Sequence, residues 1–220
     1  MTQVTPIQDL KGYLEPEQVE RLIAVAPHLR DKLLVRIPWR TGIRVTELIG
    51  LKESDIDYDS RAITVKVQKQ RKKDGKTVER RRVVPVDRET LTMLKGYLEW
   101  KKQFPYNGDL LFPITRQRVN QIFWKLGRRA GIKQVGDPTI SKHTKVHPHS
   151  LRHSFSIRSV KKGMPIQELQ KILGHQSINT TMVYLQYSIL DLHESYDKVW
   201  DEDGEENEPN KAATGPAPSG

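Results

Sequence analysis

The stretch His149–Tyr184, HSLRHSFSIRSVKKGMPIQELQKILGHQSINTTMVY, decides the architecture of this 220-residue chain. Its periodicity predicts three consecutive helices, over 150–162, 166–173 and 178 to about 187, with a turn at Gly174 between the last two. On those helices it carries His149, Arg152, His175 and Tyr184 in that order. His149 and Arg152 stand at i, i+3 in a first turn introduced by Pro148, so they share one helix face. With the N–H groups of that turn they would make a phosphate pocket. The ordinary alternative is a basic helix start with a solvated arginine.

Upstream the period is also mostly helical. Helices are expected over 15–30, over 31–40 with Pro38 disturbing the end, and over 45–51 after a turn at Thr41-Gly42. The period then becomes two. Ile63, Val65 and Val67 alternate as a strand that 78–86 can pair with, across a loop containing the turn pair Asp74-Gly75. A third short strand can join them. Further helices are expected over 88–103 and 115–129. The fold class is therefore α+β, mainly α-helical with a small antiparallel hairpin or three-stranded sheet.

The chain carries 37 Lys plus Arg against 27 Asp plus Glu, a net charge of +10. Residues 201–220 hold six acidic residues and one lysine, which leaves the remaining body near +15. Such a field attracts polyanions through neutralised phosphates and released counterions. No run approaches the roughly 18 apolar residues of a membrane span, and the N-terminus lacks a signal-peptide core. With no cysteine there is no disulfide framework or thiolate nucleophile. The composition reads as a cytoplasmic, DNA-associated protein with no membrane partner.

Four constellations carry chemistry. Tyr184 is a candidate nucleophile, but a free phenol has a pKa of about 10 and is ionised to about one part in 10³ at neutral pH. It needs a local base and a cationic setting. Tyr187, three residues on, is not separable from it by sequence. His175 follows Gly174, whose turn can return its ring toward the next helix. Arg44, in RTGIRVTELIGL, opens a helix after a glycine turn, where a guanidinium can grip two phosphate oxygens. Pairing of Arg44 with Glu47 is the plain alternative, and compatible with that role. The hairpin KVQKQRKKDGKTVERRR offers lysines that could protonate a departing 5′ oxygen. His147, His149 and His153 raise a metal reading, but the glutamate of a zinc-hydrolase helix is missing between His149 and His153, and no metal site is expected.

In this order, over about 15–187, the motifs TGIRVTELIGL, the hairpin lysine, HSLRHSF and LGHQSINTTMVY resemble the catalytic domain of the tyrosine recombinases, the phage integrase family that includes the Xer enzymes. The resemblance implies that fold, double-stranded DNA as partner and no cofactor. It implies that Arg44 and Arg152 hold the scissile phosphate, that His149 assists proton transfer and that His175 hydrogen-bonds a phosphate oxygen. Tyr184 would attack phosphorus, giving a 3′-phosphotyrosyl bond. The hairpin is longer than the family's short turn; counting from Arg44 favours Lys69, with Lys66 and Lys72 as fallbacks that also serve DNA contact. Arg116, Arg118, Asn120 and Gln121, near a helix start, are candidates for phosphates or base edges.

The expected organisation is an arm or cut linker over 1–13, a catalytic domain over 14–200 and an acidic, Pro/Gly-bearing tail over 201–220 too poor in apolar residues to fold. No helical clamp domain is expected in the residues before the first helix, as in a short family member or an isolated catalytic fragment. Ile189, Leu192, Tyr196 and Trp200 line one face of a last helix over 189–200. In related enzymes the equivalent segment packs on a neighbouring protomer, which implies a homo-tetramer on DNA. Two other functions fit parts of the pattern: a type IB topoisomerase-like relaxase, and a non-catalytic helix-turn-helix regulator built on MPIQELQKILGHQSINTTMVYLQ.

Overall fold

The computed structural model describes residues 12–71, 77–104, 108–133 and 146–187, with the side chains of 67–71, 77–79 and 186–187 left out of account. Lys72, the side chains of Lys69 and Tyr187, the Asp74-Gly75 turn, the helix expected over 189–200 and the tail lie outside the described residues.

Helices α1 (Pro16–Val25) and α2 (Leu29–Thr41) replace the expected pair with its break at Arg30. The break comes earlier because Pro27 disfavours helical geometry at Ala26, whose backbone is extended (φ −72°, ψ 121°). Pro38 does not end α2. The helix runs on to Thr41, and Gly42 closes it in the left-handed conformation (φ 66°) with its N–H donating to the Pro38 carbonyl. Residues 33 to 39 are all buried, so α2 is the central rod of the core, packed by α1, α4 and α6. Arg36 on this rod is 3% exposed and donates to Thr90 Oγ1 (2.9 Å) and Asp87 (3.0 Å). Asp87 is itself the N-cap of α4 (Arg88–Lys102), accepting from Thr90 N. A buried charge is thus neutralised by a capping residue, and α2 is tied to α4.

Between them lie α3 (Val45–Ile49) and a three-stranded antiparallel sheet of order β1 (Ile56–Asp57), β2 (Ala62–Arg71), β3 (Thr77–Pro85). Ile63 pairs with Val84 and Val65 with Arg82, so these four share the inner face. Lys66 pairs with Arg81 on the outer, exposed face. The register shifts between Val67 and Gln70, which places the Lys69 backbone in a bulge.

Helix α5 (Arg116–Arg129) buries Val119, Ile122, Phe123 and Leu126. Helix α6 (Pro148–Lys161) packs on α2, and its Ser154 Oγ accepts from the buried Leu14 N–H at 2.8 Å, pinning the start of the fold to it. Then come α7 (Ile166–Leu173), α8 (Asn179–Met182) and a 3-10 segment, Val183–Tyr187, in place of one helix over 178–187. A second, small apolar cluster of Ile157, Val160, Leu169, Leu173 and Tyr184 joins these last elements to α6.

Candidate active site

Three arginines distant in sequence converge on the C-terminal end of α7. Arg82 Nε donates to the Ile172 carbonyl at 2.7 Å. Arg152 Nη2 donates to the Leu173 carbonyl at 2.8 Å, and Arg44 Nη1 lies 3.5 Å from the same oxygen. The last carbonyls of a helix have no intrahelical partner and form the negative end of its dipole, so they gather cations. Gly174 makes this possible. It ends α7 at φ 65°, and a Cβ there would approach the Arg82 side chain to 3.1 Å. Gly42 serves from the other side, its carbonyl accepting from Arg152 Nη1.

Among the described residues Glu47 is the only carboxylate in these contacts, and its side chain is 1% exposed. It accepts two bonds of 2.8 Å from Arg82, one of 2.7 Å from Arg44 N and one of 3.2 Å from Arg44 Nη1. Burial pushes its pKa up, but hydrogen bonds and charge from Arg82 and then Arg44 outweigh that and hold it below the usual carboxylate value. Against this single negative charge stand Arg44, Arg82 and Arg152. The surplus shows in Arg152, which burial and then the repulsion of Arg44 depress to about 9. It remains a cation at neutral pH, and an anion placed there would relieve it.

His175 adjoins the cluster through Nε2, 2.9 Å from Arg152 Nη2. A guanidinium can only donate, so Nε2 accepts and the ring proton sits on Nδ1, 2.8 Å from Thr181 Oγ1. Burial and then Arg152 lower the His175 pKa to about 4, so the ring is neutral. Because the fully buried Thr181 hydroxyl can either accept or donate, the ring can move its proton to Nε2 and become a phosphate donor without a change of charge.

Tyr184 is 3% exposed, and its hydroxyl lies 2.9 Å from His153 Nδ1. Burial raises its pKa, while Ser156, Arg152 and Arg44 oppose the rise. Arg44, Arg152 and His175 are therefore brought together, with Tyr184 in the field of both arginines. His149 is exposed on α6, its ring 6.4 Å from that of His153. The first turn of α6 offers fewer free amides to an anion than expected. Pro148 has no N–H, and that of Ser150 is taken by His147, through its carbonyl at 3.0 Å and Nδ1 at 3.3 Å. Positive charge for an anion comes instead from the arginines at the α7 end. Lys66 faces away from Arg82, on the outer side of the sheet. Arg116, Arg118, Asn120 and Gln121 are exposed on α5, where Arg118 donates to Gln121 at 3.2 Å.

Sequence reading missed Arg82, Thr181 and the contact of His153 with Tyr184. Arg82 was legible by parity, two residues before the buried Val84 on the same strand face, where an inward charge requires a partner. The other two depend on how α8 packs against α7 and the 3-10 segment against α6, which no local pattern encodes.

The Phage integrase family model matches residues 12–189. Tyrosine recombinase XerA of Pyrococcus furiosus is 34% identical over 197 residues, which is 84% of this chain and 61% of that protein. The crystal structure of XerA recombinase, 31% identical, has a TM-score of 0.67 and covers 85% of this chain and 64% of that one. The post-cleavage complex of XerH site-specific recombinase bound to palindromic difH substrate, 23% identical, shares the fold at a TM-score of 0.63 over 87% of this chain and 54% of that one. The chain thus spans about three-fifths of the length of the curated relatives it matches.

Proposed function

The chain belongs to the phage integrase family, and from that premise we propose that it cuts and rejoins double-stranded DNA at specific sites through a covalent 3′-phosphotyrosyl intermediate. The observation that carries this reading is the excess of guanidinium over carboxylate at the end of α7, beside the neutral imidazole of His175 and the buried phenol of Tyr184. A pentavalent phosphorus transition state gathers negative charge, which Arg44 and Arg152 stabilise at the nonbridging oxygens and His175 at a third contact. Tyr184 attacks, Lys69 protonates the departing 5′ oxygen and His149 assists proton transfer. The phosphotyrosyl bond conserves the energy of the phosphodiester, so rejoining needs no cofactor. Tyr184 is buried, so the 3-10 segment that carries it must shift to bring its oxygen to phosphorus.

Lys66, Lys72, Arg116, Arg118, Asn120 and Gln121 are the proposed DNA contacts, and the work is done in the cytoplasm on nucleoid DNA. The segment 189–200 docks on a neighbouring protomer to build a homo-tetramer on DNA, and removing 189–220 should weaken cooperative binding. A topoisomerase-like relaxase would cleave without site preference, and a helix-turn-helix regulator would bind without cleaving. The relaxase shares the chemistry and differs in needing no specific site, whereas the regulator leaves Arg44, His149 and Arg152 unexplained.

The test is covalent capture. A pool of nicked suicide duplexes with randomised cores is incubated with the protein, and SDS-resistant complexes are isolated, amplified and sequenced. A recovered consensus, lost with Tyr184→Phe and kept with Tyr187→Phe, supports the reading. Adducts without consensus would point to relaxation, and binding without adducts would refute cleavage.

A further inference from the structure

We infer that Arg82 is a positioning residue for strand cleavage: it takes up the charge of Glu47, so that Arg44 meets the scissile phosphate as an uncompensated cation. The inference rests on the cleavage chemistry proposed above, which gives the phosphate to Arg44 and Arg152 and leaves Arg82 without a part.

Glu47 is a carboxylate with a 1% exposed side chain, set beside a site that must receive an anion. Unpaired, it would repel the phosphodiester. It would also draw the guanidinium of Arg44, its i,i+3 neighbour at the start of α3, into an ion pair of its own. The hydrogen bonds show which arginine has the carboxylate. Arg82 grips both oxygens in a fork, Nη1 to Oε1 and Nη2 to Oε2, each at 2.8 Å. The Arg44 side chain makes one bond to Glu47, at 3.2 Å, while the firmer bond, 2.7 Å to Oε2, comes from the Arg44 backbone N–H. The same carboxylate thus fixes the backbone from which Arg44 projects and leaves its guanidinium loosely held.

Exposure divides the two arginines in the same way. The Arg44 side chain is 30% exposed and the Arg82 side chain 9%. Both Nη atoms of Arg82 are turned to Glu47, and its Nε donates to the Ile172 carbonyl at 2.7 Å. Arg82 is therefore engaged by the protein on every nitrogen, and it acts on the phosphate through Glu47 and Arg44. Burial raises the Glu47 pKa, and Arg82 opposes that rise ahead of Arg44, in keeping with this division.

Among the described residues, three guanidiniums against one carboxylate leave a surplus of two positive charges. Arg82→Met would reduce the surplus to one. Adding Glu47→Gln would restore it to two, and the amide oxygen could still accept from Arg44 N. Neutralising both members of a buried ion pair is also far milder for folding than removing one. Loss of the bond to Ile172 would show in stability, whereas the charge shows in the rate.

The experiment uses the full chain and the captured duplex, made once with the natural phosphate and once with an uncharged methylphosphonate at the cleavage position. Single-turnover adduct formation at saturating duplex is compared for the wild type, Arg82→Met and Arg82→Met/Glu47→Gln, with urea midpoints measured so that rates refer to folded protein. On the phosphate, Arg82→Met should be slower by about 10–100-fold, the effect of one unit charge close to the reacting group at an effective dielectric constant of about 20. The double variant should return to within about tenfold of wild type. On the methylphosphonate, which carries no charge for Glu47 to repel, the deficit of Arg82→Met should shrink to about threefold or less. A merely structural loss would slow both duplexes alike, so an equal deficit on the two would overturn the inference. Cleavage of the phosphate by Arg82→Met within about threefold of wild type would overturn it as well. If Arg82→Met does not fold, the double variant decides: a folded double variant slower than wild type by more than about tenfold on the phosphate would overturn the inference. A wild type that forms no adduct would refute the cleavage reading itself, and this role with it.

Discussion

Replacing Glu47 by Gln tests how the arginine cluster is held. The carboxylate is almost fully enclosed and accepts four hydrogen bonds, two from Arg82 and two from Arg44. Glutamine has nearly the same shape. Its single carbonyl oxygen keeps at most half of those bonds, and its amide donors face the N–H groups of Arg82 or Arg44. The substitution also leaves Arg82, only 9% exposed, without its counter-charge. Breaking a buried ion pair from one side costs about 3–5 kcal/mol. For a domain of this size that corresponds to a fall in Tm of about 6–20 °C, at roughly 2–4 °C per kcal/mol.

Urea unfolding at pH 7 gives the difference directly, and a cycle with Arg82→Met isolates the pair, since the double variant should lose less than the two single losses combined. The pH dependence supplies a second check. The pKa of Glu47 is lower in the folded protein than its ordinary 4.5, so its contribution is present above about pH 4.5 and disappears as pH falls through the folded value. The gap between wild type and variant should therefore close in acid. A loss below about 1 kcal/mol at pH 7, or a gap that persists in acid, would refute the claim that Glu47 holds the two arginines by charge.

Three further outcomes follow from the geometry. Gly42→Ala should destabilise by about 2–5 kcal/mol in urea unfolding, because the backbone is left-handed there and a Cβ would come within 2.5 Å of Phe155 and 2.8 Å of Leu173. Thr181→Val should slow adduct formation while Thr181→Ser retains it, since only a hydroxyl can support either tautomer of His175; equal rates for valine and wild type would exclude that role. Wild-type stability should fall as pH drops from about 6.5 to about 4, where the unfolded chain protonates at position 175 and the folded one does not, and His175→Gln should flatten that interval in urea midpoints.

Much of this site was legible before folding. Arg44, Arg152, His175 and Tyr184 were marked by motif order, and α4, α5 and α7 by their helical period. The α1–α2 break was misplaced because Pro27 acts on the residue before it. Pro38 was expected to disturb the end of α2, yet the helix runs through it and Gly42 supplies the stop three residues after the buried Trp39. The first turn of α6 looked like an anion pocket, yet its own N-cap His147 occupies the Ser150 amide. What sequence could not give was the role of the α7 C-terminus. Backbone carbonyls carry no residue identity, so the convergence of Arg44, Arg82 and Arg152 on Ile172 and Leu173 appears only once the chain is folded.

The central claim is that Tyr184 becomes joined to a DNA 3′ phosphate. The most direct measurement is mass spectrometry of the captured adduct after nuclease and protease digestion, which locates the residual nucleotide on the peptide. A 3′-nucleotidyl group on Tyr184 is expected, with a free 5′ hydroxyl on the released strand. Attachment at Tyr187, linkage to a 5′ phosphate, or no covalent nucleotide at all would contradict it.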